Sequence, residues 1–133
     1  MTDAFELTRH VEHLAVVRLG PGADVPDWAA TGTLFSVTAT RDETSVVCGA
    51  TSVPRRATSE GPFVAFEVAG PLDFALTGVL GTLLAPLADA EISVFTLSTY
   101  DTDWILVPAK AADAAAAAWQ DAGHTVTDEE IQP

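Results

Sequence analysis

Residues 63–107 read FVAFEVAGPLDFALTGVLGTLLAPLADAEISVFTLSTYDTDWILV, and this stretch decides the fold. It opens on an apolar run, residues 63–68, which Gly70-Pro71 ends. Leu76, Val79, Leu80, Leu83, Leu84 and Leu87 then recur three and four apart, the spacing of one helix face. A second β-prone run, 92–97, leads into the polar corner Ser98-Thr99-Tyr100-Asp101-Thr102, and a third follows at 103–107. The pattern predicts strand, helix, strand, corner, strand.

Downstream, Pro108 stops the third strand, and residues 109–122 have very high helix propensity, with Ala112, Ala115, Trp119 and Ala122 on one stripe. Gly123 is placed to cap that helix, and His124-Thr125-Val126 can add a final strand. Upstream, residues 14–19 read as a strand ended by Gly20-Pro21-Gly22, and 24–30 as a short helix. Residues 34–39 and 44–49 flank Arg41-Asp42-Glu43 as a hairpin. These elements divide the chain into a lead-in (1–12), a shortened βαββ unit (13–60), a βαββαβ unit (63–126) and an acidic, mobile tail (127–133). The polar, proline-punctuated residues 53–62 read as the linker. The fold class that follows is α+β and ferredoxin-like, two units with antiparallel sheets and helices on one face.

Composition narrows the function. Six Lys+Arg against nineteen Asp+Glu give a net charge of −13, which repels phosphate backbones and anionic lipid, so nucleic acid and membrane are not expected partners. Apolar runs fall short of a bilayer span, the N-terminus lacks a signal peptide's basic start and apolar centre, and the cytosol is the expected compartment. The single cysteine, Cys48, sits in the apolar run SVVCGA as a buried thiol. Trp28, Trp104 and Trp119 read as core anchors. No metal or catalytic residues are assigned. His10, His13 and His124 lack partners at ligand spacing, Ser36, Ser93 and Ser98 lack a nucleophile-elbow context, and phosphate-loop and dinucleotide fingerprints are absent, so no cofactor is expected.

The segment GPLDFALTGVLGTLLAPLADAEISVFTLSTYDTDWILVP resembles an ACT domain, the βαββαβ amino-acid-binding module of allosteric enzymes. The likeness is to the tandem ACT arrangement of aspartate kinases and of the CASTOR arginine sensors. It covers residues 63–126, while the first half resembles an ACT unit only in its order of elements. The resemblance implies a non-catalytic regulatory or sensor protein binding an amino acid or similar small zwitterion, with a homodimer as the expected assembly. It places the ligand where the first strand meets its helix, at Leu76, Thr77, Gly78 and Val79, closed by Thr99, Tyr100 and Asp103. The residue types agree with this. Amides in a first helical turn lack intrahelical acceptors and suit a carboxylate, Gly78 leaves the backbone open, and Asp103 can pair with an ammonium. Asp103 can equally cap its own corner, Gly78 can serve packing, Asp101 reads as a solvated turn residue, and Asp73 as the helix N-cap. Arginine sensors carry an acidic residue two positions before the helix glycine. Here that position is Leu76, so arginine selectivity is not expected and a small or apolar amino acid fits better. The alternative is a ligand-free structural or interaction module that keeps the ACT fold.

Overall fold

A computed structural model describes residues 4–73 and 77–130. Its elements are β1 (Glu6–Leu19), β2 (Ser36–Ala39), β3 (Thr44–Gly49), β4 (Thr58–Val68), α1 (Val79–Asp89), β5 (Phe95–Ser98), β6 (Asp103–Pro108), α2 (Ala112–Asp121) and β7 (Thr125–Asp128). Two compact units divide the chain, one of Met1–Val11 with Val64–Pro133 and the other of Glu12–Phe63. The class is α+β and ferredoxin-like, as the alternation of periods predicts. Among the described residues no helix is long and apolar enough to cross a membrane.

In the first unit the strands run in the order β7–β1–β4–β6–β5. Residues one strand position out of two point to the same face, so Val64, Phe66 and Val68 of β4 join Ile105 and Val107 of β6 in one apolar surface. Both helices close over it, α1 through Val79, Leu83 and Leu87, and α2 through Ala112, Ala115 and Trp119. The expected α1 stripe is therefore buried at its centre and half-buried at Leu80 and Leu84. Leu76 lies outside the described residues. Trp119 joins the layers: its indole N–H donates to Leu83 O at 2.8 Å, and its ring meets Phe66 edge-on at 4.8 Å.

Two departures reshape this unit. Residues 6–12, expected as a loose lead-in, belong to β1. Leu7 enters the core, Ala69 N donates to Glu6 O at 2.8 Å, and β7 pairs with β1 in parallel from Glu6↔Thr125 to Arg9↔Asp128. The final strand thus lies beside β1. The start of the acidic tail is tied down as well. Val11 N donates to Glu129 Oε1 at 2.6 Å, and His10, stacked on Trp104 at 4.9 Å, meets Glu129 and Glu67 at 2.9 Å each. Polar residues hid this strand because Arg9 and His10 find partners far away in sequence, at Asp113, Glu67 and Glu129, rather than in an apolar layer.

The second departure is β5, which begins at Phe95 rather than residue 92. Helix α1 ends in a Schellman motif: Glu91 N donates to Ala88 O at 3.0 Å and Ile92 N to Leu87 O at 2.9 Å. Glu91 takes the left-handed position, φ 59°, and Ile92 packs on the core before the strand can start. Helix α2 ends the same way with the glycine expected there, Gly123 at φ 97°. Its first turn, Ala109–Ala111, is 3-10.

The unit Glu12–Phe63 holds the β2–β3 hairpin, in register from Ser36↔Val47 to Ala39↔Thr44. β3 also pairs with β1, from Leu14↔Gly49 to Leu19↔Thr44. Val17, Ala29, Val46 and Cys48 form the core. Burial, and next the charge of Glu12, push the Cys48 thiol pKa up, which keeps it a packing residue. The expected short helix is a single 3-10 turn, Asp27–Ala29, closed off by Gly32 at φ 101°. Residues 58–62 of the expected linker are the start of β4.

Two stability outcomes follow. Glu91→Gly is expected to raise the unfolding free energy by about 1 kcal/mol, because glycine occupies the left-handed region without strain. A higher urea midpoint at unchanged slope would register it. The Val11 amide holds Glu129 below the usual carboxylate range, with burial opposing and the His10 contact adding. A depressed carboxylate contributes in full above its unfolded-state value and loses that contribution as pH falls through the folded one. Unfolding of Glu129→Gln followed from pH 7 into the acid range is expected to show a shallower acid loss than the parent chain.

Candidate functional site

The segment leaving β4 and the corner between β5 and β6 are stitched together. Thr102, buried, donates its hydroxyl to Val68 O at 2.6 Å, and Leu72 N donates to Asp101 O at 2.7 Å. A Cβ on Gly70 would stand 3.0 Å from Asp101 O and 3.2 Å from Thr102 Cβ, so the approach needs glycine. The corner itself is closed by Thr99: its amide donates to Thr102 O at 2.8 Å and its hydroxyl accepts Thr102 N–H at 3.3 Å.

This stitch leaves a cavity of about 310 Å³ between the head of α1 and the corner. Leu72, Val79 and Leu80 supply its apolar wall, and Ser98 to Asp103 the opposite one. Gly78, Val79, Thr99, Tyr100 and Asp103, all singled out in the sequence, line it together. Thr77 is exposed and does not line it, and Leu76 lies outside the described residues. Asp73 and Asp101 line it too.

Gly78 is the N-cap residue of α1, at φ 77° and ψ 4°, rather than a residue of its first turn. The N-cap position, expected at Asp73, is taken by Gly78, which has no side chain to cap with. The first intrahelical bond is Thr82 N to Gly78 O at 2.9 Å, so the amides of Val79, Leu80 and Gly81 precede it and have no partner within the helix. Neither Gly78 nor Gly81 has any atom within 4 Å of a built Cβ. Close helix–sheet packing therefore does not account for either glycine; at Gly78 the backbone angle does.

Asp103 stands opposite Ser98 in the β5–β6 ladder and accepts its hydroxyl at 2.5 Å. It is half-buried, whereas Tyr100 is 83% exposed. Asp73, Asp101 and Asp103 give the cavity three carboxylates, and among the described residues no Lys, Arg or His lines it. The sequence did not single out Thr102 or Gly70, which set the corner's position. A threonine inside a run of turn residues has no signal that separates a solvated hydroxyl from a buried one.

A family model described as the ACT domain matches residues 58–121, which contain every residue lining this cavity. The match spans just under half of the chain. A second model, described as an N-terminal domain, matches residues 12–56. A solved structure of a protein from Agobacterium tumefaciens is similar over 99% of this chain and 98% of its own, at 28% identity and a TM-score of 0.91. The regulatory subunit of aspartate kinase from Thermus flavus shares the fold over 87% of this chain and 95% of its own, at 13% identity and a TM-score of 0.61. The putative protein CASTOR3P of Homo sapiens is 59% identical over 32 residues, which span 24% of this chain and 20% of that protein. The likeness to the aspartate kinase subunit is one of fold.

The two glycines of the ACT cavity separate by mutation. Gly78→Ala adds a methyl to open space and is expected to cost about 1 kcal/mol through its backbone angle alone. Gly70→Ala must push the corner away from Asp101 O and is expected to cost about 1–3 kcal/mol. Urea unfolding gives both costs, and amide shifts at residues 99–103 are expected to move in the second variant and not in the first.

Proposed function

We propose that this chain is a non-catalytic regulatory or sensor protein that binds a small amino acid, or a similar zwitterion, in the ACT cavity. The observation that supports it is the sharing of one cavity by the head of α1 and Asp103. The ligand's carboxylate takes the amides of Val79, Leu80 and Gly81, where the helix dipole also favours an anion. Its ammonium group takes Asp103 by a charge-assisted hydrogen bond. Its side chain rests on Leu72, Val79 and Leu80. With three aspartates and no cation in the lining, a second carboxylate on the ligand is repelled, which disfavours acidic amino acids. The reading is not one of arginine selectivity, because Leu76 stands where the arginine sensors place an acid. Ligand binding acts on function by linkage, favouring whichever self-association or partner complex completes the cavity.

One observation favours a second reading. Asp103 is already satisfied by Ser98 within its own hairpin, as in a module that keeps the fold for protein contacts and binds no small molecule. Thermal unfolding against each of the twenty amino acids at millimolar concentration separates the two. On the first reading, one or a few neutral amino acids raise Tm by about 5–10 °C at a hundredfold excess over Kd, and Asp103→Ala removes the shift. Twenty flat profiles would reject the first reading in favour of the second.

A further inference from the structure

The unit Glu12–Phe63 contains a groove of its own, about 400 Å³, a size that suits a small molecule. Its floor is formed by β1 and β4 at Ala15 and Gly61. Gly61 is held against β1, since a Cβ there would stand 3.0 Å from Leu14 O. One wall is the segment after β3 that includes Thr51, Val53, Pro54 and Arg55, and the other is the start of β4, residues 59–62. His13 stands two positions from Ala15 on β1 and so shares its face.

The lining differs in charge from the rest of the molecule. The chain has nineteen acidic side chains and six Lys+Arg, and two of the other arginines are engaged: Arg9 pairs with Asp113 at 2.8 Å, and Arg18 donates to Asp42 O. Arg55 and His13 both line the groove, and neither has a hydrogen-bond or ion-pair partner among the described residues. Glu60 is the one acidic residue in the lining. A guanidinium presents a planar fork of donors that matches a carboxylate or phosphate edge, and an imidazole offers at least one further N–H. Thr51 and Ser59 add hydroxyls beside them.

We propose that this groove is a second binding site, for a small molecule bearing a single carboxylate or phosphate group. Arg55 and His13 take the anionic head, and Val53, Pro54 and Pro62 support the body. Glu60 repels a second anionic group and accepts a hydrogen bond from a hydroxyl or amine on the body. The site is independent of the ACT cavity and of what binds there.

Titrations with inorganic phosphate and, separately, with lactate at constant ionic strength test it, read by the side-chain NMR signals of His13 and Arg55. Saturable shifts with phosphate alone assign a phosphate ligand, with lactate alone a carboxylate, and with both the shared anionic chemistry. Arg55→Ala is expected to weaken binding about tenfold or more. Arg41→Ala removes the same charge from the β2–β3 turn and is expected to leave binding unchanged. Arg55, His13 and Arg41 are exposed, so these changes open no core. Flat titrations with both anions, binding retained in Arg55→Ala, or equal losses in Arg55→Ala and Arg41→Ala would each overturn the proposal.

Discussion

The hydroxyl of Thr102 on the carbonyl of Val68 holds the ACT cavity in place. A hydrogen bond of 2.6 Å between buried partners has no water to compete with it, and losing it leaves a buried carbonyl unpaired. It fixes the corner to the last residue of β4, and Leu72 N on Asp101 O adds a second point a few residues on. Two fixed points remove the hinge freedom that a hairpin end otherwise has. Whatever lines the corner, Asp103 included, therefore keeps its place relative to the segment that feeds α1. The apolar sheet–helix layer stabilises the unit without setting that relation, since packing is non-directional and a corner displaced slightly would still bury the same side chains.

Helix ends decide what the layer presents. Schellman closures end both helices, one with glycine and one with glutamate in the left-handed position. At α2 the closure turns the chain straight into His124, whose Nδ1 accepts Phe5 N–H at 3.0 Å, and so delivers β7 to β1. At α1 it sends Ile92 into the core and delays β5 to Phe95, while the corner 99–102 sets Ser98 opposite Asp103. Capping thus decides where the next strand begins, and the corner decides its register.

Helix and strand periods in residues 63–107 were legible because each element has one apolar face and one layer to bury it in. The gathering of Gly78, Val79, Thr99, Tyr100 and Asp103 at one cavity follows from that order of elements. Three features were not legible. The first part of β1 is mostly charged and polar, and its strand character rests on contacts such as His10 with Glu67 and Glu129, which lie far away in sequence. The start of β4, Thr-Ser-Glu-Gly-Pro, has the composition of a loop and becomes a strand through its neighbours, the tertiary override that β-propensity permits. The conformation of Gly78 was hidden because a glycine in a helical pattern reads as an interior residue until the first hydrogen bond is placed.

Charge separates the two cavities more sharply than shape does. Three aspartates in one lining, with no cation beside them, favour an ammonium and disfavour any added carboxylate that lacks donors of its own. The amides at the head of α1 that precede its first intrahelical bond point along the helix dipole, so they suit one carboxylate and not two. A zwitterion satisfies both ends of that field, whereas a cation leaves the amides unused and a dianion meets the aspartates. In the groove of the other unit the signs are reversed, with Arg55 and His13 facing a single Glu60. A surface of −13 lowers the local concentration of every anion. Two donors left unpaired on such a surface therefore have to act at contact range, within a Debye length of about 8 Å at physiological salt, which is the range a groove provides and an open face does not.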